Sequence, residues 1–559
     1  MENHITVAEF IIQYLESKNI IWVPGIPGGT ILPLYHALGK SKIKHILARH
    51  EQGAGFIAQG RARTSNSVTP VFVSSGPGVA NLFTAVADAF RDSVPLIVFS
   101  GQVPTDLIGT DAFQELDTTR IVQSITKKAY HVQNPNDIPY VLEEAFVIAM
   151  EGKKGPVWID IPKDIQTARI DFGISQSNLP KETKLNIQTV DPTELENFVH
   201  NFFKLLECSK YPLLYIGGGA KSHPTYKKLR EFVNRFQIPV VSTLMGLGIF
   251  TKDDPTYLGM MGMHGTTDAN ESLAKCDLLI ALGVRFDDRA TGKIESFCNQ
   301  AKIIHVDISR REIGKNKIPD LSISCDLSLV LDSLLMYKGD EILGENNWFI
   351  KHPKSKGILD AKSDFFECLD SMVTGERFIL TDVGQHQMWV AQHFPFKNPG
   401  EWITSGGQGT MGFGIPTSIG VALTQEKATV LCFTGDGSIM MNLQELATVA
   451  EHNLNIKIIL FNNHHLGLVK QQQDLFYGKI HSGSKFDYQP NFKLLAKSFG
   501  IPYIQKNEFG ADLEMEEGLK NFGPLLIEVE IPMELGVYPF VPGGKSNQEF
   551  LLGPVEASL

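Results

Sequence analysis

Short runs of β-branched and other apolar residues alternate with longer amphipathic stretches along nearly all of this 559-residue chain. That alternation predicts parallel sheets covered by helices, because a parallel strand needs a long crossover before the next can pair with it. A chain of this length is too long for one hydrophobic core, and the runs fall into three blocks. Strand candidates lie at 20–23, 70–74, 95–100 and 157–161 in the first block, most of them ending in Gly, Ser or Pro turns. They lie at 213–216, 239–242, 277–282 and 303–306 in the second, and at 378–382, 429–433, 456–461 and 525–529 in the third. Two polar stretches without periodicity, 175–193 and 339–361, read as separators. The expected fold class is α/β, with three doubly wound parallel-sheet domains at 1–174, 190–338 and 362–532 and a Pro- and Gly-rich arm or lid at 533–559. Ligands are expected at the carboxyl ends of the strands.

Composition narrows the function. With 43% apolar and 20% charged residues the chain has an ordinary globular make-up. Its formal charge is -11 and its isoelectric point about 5.8, without a basic stripe, which argues against nucleic acid as a partner. Short basic pieces such as Ser309-Arg310-Arg311 read as solvated surface. Six scattered cysteines, at 208, 276, 298, 325, 368 and 432, form no C-x-x-C. That suits a reducing compartment and speaks against a disulfide frame or a zinc site. The N-terminus lacks the regions of a signal peptide, and no apolar run reaches the ~18 residues of a membrane span. A cytoplasmic enzyme without membrane contact is expected.

Two patterns carry chemistry. Asp436 follows the 429–433 run in the turn Gly435-Asp436-Gly437-Ser438, where the glycines let backbone approach a phosphate and Ser438 offers a hydroxyl. Asn463 ends the next run, 27 positions later. A hard cation such as Mg²⁺ takes oxygen ligands and shares them with phosphate. Alone, the Gly-Asp-Gly-Ser turn reads equally well as an Asp capping a helix. A zinc reading of His464-His465 is poor, since adjacent side chains diverge and no Cys or third His is close. The second pattern is Glu51 in Arg49-His50-Glu51-Gln52-Gly53. A lone Glu there would ordinarily be an exposed charge at a helix start. The Gly- and Ala-rich 53–63 run behind it and the turn Ser74-Ser75-Gly76-Pro77-Gly78 point instead to a tightly packed helix and a backbone that can approach a ring.

With Asn462-Asn463 closing the strand after it, the Asp436 turn is similar to the thiamine diphosphate signature. In that setting a carboxyl group beside the pyrimidine N1′ favours the imino tautomer that removes the thiazolium C2 proton. Further motifs narrow the choice: Pro27-Gly28-Gly29, Gly109-Thr110-Asp111-Ala112-Phe113-Gln114-Glu115, 158–164, Gly262-Met263-His264-Gly265-Thr266, 283–292 and Gly384-Gln385-His386-Gln387-Met388-Trp389. Through them, from about Thr6 to Pro542, the chain resembles the catalytic large subunit of acetohydroxyacid synthase, also called acetolactate synthase.

The resemblance implies a role for each matching residue. Glu51 would be the cofactor-activating acid, with Gly28, Phe113, Gln114 and Lys163 lining the substrate side. Gly409 and Met411 would meet the aminopyrimidine, and Gly384, Gln385, His386, Gly437 and Ser438 the diphosphate. Asp436, Asn463 and the His465 carbonyl would hold Mg²⁺. The middle block would carry a structural FAD on Gly217, Gly218, Gly219, Thr243, Leu244, Met245, His264, Gly265, Thr266, Arg285, Asp307 and Ile308, although three glycines alone read as a plain tight turn. Met263, Asp288 and Arg289 would lie at the mouth of the site, where the last two also read as a surface ion pair.

The implied reaction decarboxylates pyruvate and joins the two-carbon unit to a second pyruvate or to 2-ketobutyrate, the first common step of valine, leucine and isoleucine biosynthesis. Gln472 stands where most of the family has Trp, in the form Leu468-Val469-Lys470-Gln471-Gln472-Gln473, which resembles the enteric isozyme I branch. A weak preference for 2-ketobutyrate and reduced sensitivity to herbicides that stack on that Trp follow as expectations. A homodimer or larger assembly, with Glu51 and Asp436 of one site coming from different chains, and a small regulatory subunit are also implied. Rival readings are a pyruvate oxidase, a simple 2-ketoacid decarboxylase, a flavin-free acetolactate synthase and a non-catalytic relative.

Overall fold

The computed structural model describes residues 4–171, 190–338, 348–349 and 361–554. Most of both separators, 175–193 and 339–361, lies outside the described residues. The first is shorter than expected, because Asp191 caps a helix, Pro192–Cys208, by accepting from Thr193 N at 2.9 Å.

Three six-stranded sheets, each wholly parallel, form the frame. In the first the spatial order is Lys44–Leu47, Trp22–Gly25, Thr69–Val73, Leu96–Gln102, Val157–Pro162 and Lys128–His131. The third repeats that winding with Trp402–Ile403, Arg377–Thr381, Thr429–Gly435, Ile456–Asn462, Leu525–Glu530 and Tyr503–Asn507. The middle sheet runs Tyr257–Met260, Val240–Ser242, Pro212–Ile216, Leu278–Leu282, Lys302–Asp307 and Leu321–Ser324. Numbered along its own domain, that order is 3-2-1-4-5-6, the winding that binds dinucleotides at its point of reversal. In every sheet the sequence reading located the four central strands to within two residues at either end and missed both edge strands.

The first and third domains meet through two helices, Glu51–Ser65 and Gly414–Thr424. Glycines permit the approach. A Cβ on Gly420 would overlap the Ile57 carbonyl oxygen, and one on Gly60 the Thr417 carbonyl oxygen. Gly420→Ala is therefore expected to destabilise the protein by about 3 kcal/mol, the upper range for overpacking. A thermal melt checks this, and an unchanged transition would refute the close approach.

The C-terminal arm is docked. Phe540 pairs with Leu551 in a short antiparallel bridge, Val541 N donates to Met263 O, and Gln471 exchanges two side-chain hydrogen bonds with the Val537 backbone, each 2.9 Å.

Candidate functional site

A cavity of about 230 Å³ opens at the reversal point of the third sheet, where the strands Arg377–Thr381 and Thr429–Gly435 lie side by side and their connections diverge. Gly384, Gln385, His386, Gly409, Met411, Asp436, Gly437, Ser438, Asn463 and His465 all line it. Trp389, Leu468 and Val469 add apolar wall. Asp436 is buried, and burial pushes its carboxyl up to about 6. Its oxygens accept from Gly437 N and from Gln489 Nε2, a partner the sequence reading missed. Asn463 Oδ1 accepts from His465 N at 3.1 Å, and the His465 ring is tied to the Asn463 carbonyl at 3.0 Å, so that imidazole is engaged within its own loop. Ser438 Oγ donates to Val383 O at 2.8 Å.

These donors suit an anionic group bridged by a hard cation. His386 is buried and held neutral, burial lowering its pKa to about 3, and its Nε2 has no partner among the described residues. A buried polar atom left open beside a cavity calls for a polar occupant. Oxygen groups around a buried carboxylate fit a hard cation such as Mg²⁺ better than zinc.

Met411 sits on a fixed span. Gly409 and Gly412 take left-handed backbone, with φ of 64° and 86°. Asp382 accepts from Gly412 N at 2.7 Å and Gly414 N at 3.3 Å, while Asn442 Nδ2 donates to Gly412 O at 2.7 Å. Burial pushes the Asp382 carboxyl up to about 6. Neither Asp382 nor Asn442 belongs to a motif the sequence reading singled out.

A second group of site candidates gathers at the carboxyl ends of the first sheet. Glu51 is the first residue of its helix, half-buried, and its Oε2 accepts from Asn81 Nδ2 at 2.9 Å. Gly78 faces Oε1, and a Cβ there would lie 3.5 Å away. Gly28 packs against the Ser74 side chain, and Gly76 against Gln114. Gln114 holds a left-handed φ of 63° in a tight loop where Glu115 accepts from Ala112 N at 3.0 Å. Lys163 begins the short helix after Val157–Pro162 and is half-buried. Phe113 is 88% exposed. Within one chain none of Gly28, Glu51, Phe113, Gln114 or Lys163 lines the third-domain cavity.

The middle-domain candidates cluster at the reversal of their sheet. Gly217 and Gly219 follow Pro212–Ile216 and pack directly on the Gly283 backbone after Leu278–Leu282. Thr243 caps a turn containing Leu244 and Met245, and the Met245 side chain lies beside Gly218 and Gly406. Arg285 Nη1 donates to Arg91 O at 2.7 Å. Asp307 ends its strand with its carboxyl pushed up to about 6 by burial, Ile308 follows it, and Gly265 packs on the backbone of Met260 and Met261. Thr266 caps Thr267–Lys275. His264 is held neutral by burial, at about 4, and its Nδ1 has no partner among the described residues. The ring lies 5.4 Å from that of Phe540. Asp288 and Arg289 form a loose exposed pair at 3.8 Å, and Arg289 also reaches the Met263 sulfur at 3.3 Å. Gln472 is exposed, whereas Gln471 is bound to the arm and Gln473 to Ser482 and Ser484.

Family models match all three domains: the N-terminal TPP binding domain of thiamine pyrophosphate enzymes over residues 5–121, their central domain over 199–334 and their C-terminal TPP binding domain over 382–529. The chain is 46% identical over 557 residues to the acetolactate synthase isozyme 1 large subunit of Escherichia coli (strain K12), covering 98% of this chain and 97% of that protein. It is 40% identical over 570 residues to acetolactate synthase 1, chloroplastic, of Zea mays, covering 98% and 88%. It is 38% identical over 571 residues to the acetolactate synthase large subunit of Haemophilus influenzae, covering 98% of each.

Proposed function

Because the chain belongs to the acetolactate synthase large-subunit family of thiamine pyrophosphate enzymes, we propose that its two half-sites, from the first domain of one copy and the third domain of another, close on one thiamine diphosphate. The resemblance read from the motifs, isozyme I branch included, is borne out. The family's reaction is the first common step of branched-chain amino acid biosynthesis, thiamine diphosphate-dependent formation of acetolactate. One observation supports the site reading most: the ten residues expected at the cofactor's aminopyrimidine, diphosphate and metal come from four separate segments and line a single cavity.

On this reading Glu51 would hold the proton that the pyrimidine N1′ takes up, and Gly409 and Met411 would shape the pocket for that ring. Gly384, Gln385, His386, Gly437 and Ser438 take the diphosphate; Asp436, Asn463 and the His465 carbonyl take Mg²⁺. Thiamine diphosphate, when bound, supplies the nucleophilic carbon and the electron sink for decarboxylation. The chain supplies an apolar wall from Trp389, Leu468 and Val469 that excludes water. Gly28, Phe113, Gln114 and Lys163 orient the 2-ketoacids, with Met263, Asp288 and Arg289 at the mouth. Gly217, Gly219, Thr243, Arg285 and Asp307, at the reversal point of the middle sheet, would hold FAD in a structural role. An exposed Phe113 fits a homodimer or larger assembly in which another copy covers it. The relatives named large subunits support a small regulatory partner. The reading places the enzyme in the cytoplasm; among the described residues no helix is long and apolar enough to cross a membrane.

Acetolactate formation from pyruvate, assayed with and without thiamine diphosphate, Mg²⁺ and FAD, tests the reading. Peroxide formation with rapid flavin bleaching would favour a pyruvate oxidase instead. Gln472 leaves the second-substrate pocket without a large apolar wall, so pyruvate and 2-ketobutyrate should compete nearly evenly. Gln472→Trp should raise the preference for 2-ketobutyrate roughly tenfold, the value of a methyl-sized contact. A strong wild-type preference, seen as excess acetohydroxybutyrate in a competition assay, would contradict this.

A further inference from the structure

The span that carries Gly409 and Met411 is clamped from a different domain. Asp92 accepts from Gly406 N at 2.9 Å and Gly407 N at 2.7 Å. Asp88 accepts from the Ser405 hydroxyl and from Thr410 Oγ1 at 3.0 Å, and Ser405 Oγ in turn accepts from Thr410 N at 2.9 Å. Arg63 joins the two acids, its Nη2 lying 3.3 Å from Asp88 Oδ1 and 3.0 Å from Asp92 Oδ2, while Nη1 donates to Thr404 O at 3.3 Å. The three side chains are 10%, 0% and 1% exposed. Burial and the neighbouring Asp92 charge push the Asp88 carboxyl up to about 6, against the pull of Arg63.

Burying two carboxylates against one guanidinium is costly, and apolar packing would join two domains at least as stably. Apolar contacts would not fix individual backbone N–H groups. This cluster fixes Gly406 and Gly407 directly and Thr410 through Ser405, immediately before Met411. Asp382 and Asn442 fix Gly412 just beyond it.

We propose that Asp88, Asp92 and Arg63 are positioning residues for the 409–411 span, so that the first domain of a chain shapes the aminopyrimidine pocket of its own third domain. The proposal rests on the cofactor reading above. On that reading one helix works at both ends: Glu51 at its start serves another copy's cofactor, and Arg63, twelve residues on, serves its own.

The test compares two ligands on the full chain stripped of cofactor, read by quenching of tryptophan fluorescence, since Trp389 lines the cavity. Thiamine diphosphate with Mg²⁺ spans the whole site; inorganic diphosphate with Mg²⁺ reports only the diphosphate end. Asp88→Asn should weaken thiamine diphosphate roughly tenfold or more, the scale of hydrogen bonds to a buried charge. Inorganic diphosphate should stay within about twofold and the FAD content unchanged. Should Asp88→Asn not fold, Thr410→Val removes one donor to Asp88 with shape kept, and the same split is expected with a smaller loss. Equal weakening of both ligands, or thiamine diphosphate affinity within twofold of wild type, would overturn the proposal. A wild-type chain that fails to bind thiamine diphosphate would instead overturn the cofactor reading itself.

Discussion

Glu51→Gln is expected to lower the rate of acetolactate formation by roughly 10²–10⁴-fold, the range for a positioned acid–base group, while thiamine diphosphate binding persists. The substitution keeps the shape and the contact to Asn81, because an amide oxygen can accept from Asn81 Nδ2 as the carboxylate does at 2.9 Å. What it removes is the exchangeable proton at the other oxygen. That oxygen lies beside Gly78, where a Cβ would stand 3.5 Å from it. Gln would present an N–H₂ group that donates but cannot deliver and retrieve a proton at neutral pH. Binding persists because the diphosphate end is built on the third domain, where Asp436, Ser438 and Asn463 are untouched. Initial rates give the first number. Deuterium exchange at the cofactor's C2 position gives the second, and it should slow in step with the rate. A variant that keeps its rate within a few-fold of wild type would remove Glu51 from the acid's role.

What the sequence disclosed follows burial. Central strands are covered on both faces, so they read as apolar runs, and those in all three sheets were legible. Most edge strands are not: Lys44–Leu47 and Lys128–His131 carry Lys and His, and Tyr503–Asn507 alternates with polar residues, while the buried edges escape notice by being short, Trp402–Ile403 at two residues and Tyr257–Met260 broken by Gly259. The cofactor candidates were legible because strand–turn chemistry is local: Gly384 and Asp436 each follow a strand at the reversal of the sheet. The supports were not. Asp88 meets Ser405 more than three hundred positions away, and Gln489 meets Asp436 from a segment with no periodicity. A buried acid is recognisable only by the partner that satisfies it, and that partner is set by tertiary packing.

Asp436→Asn separates stability from function most sharply. Asp436 is 4% exposed, and its carboxyl is pushed up to about 6 because burial penalises the charge more than Gln489 and Gly437 favour it. A carboxylate whose folded pKa is raised costs stability above that pKa and none below the unfolded value, the cost setting in as pH rises from about 4 to about 6. The neutral amide escapes that cost. The cofactor-free variant should therefore melt at or above the wild-type temperature at pH 7.5, and the advantage should shrink as pH falls below about 6. Cofactor binding should move the other way. An amide oxygen offers Mg²⁺ no charge, and two opposite charges at ligand distance in a partly desolvated site interact by several kcal/mol. Affinity for thiamine diphosphate with Mg²⁺ should drop roughly 100-fold or more, and activity at ordinary cofactor concentrations should vanish with it. Calorimetry of the stripped chain and a fluorescence titration with Mg²⁺ held constant check the two halves independently. A variant that melts lower and still binds the cofactor with Mg²⁺ would show that Asp436 is a structural cap, the alternative its turn always allowed.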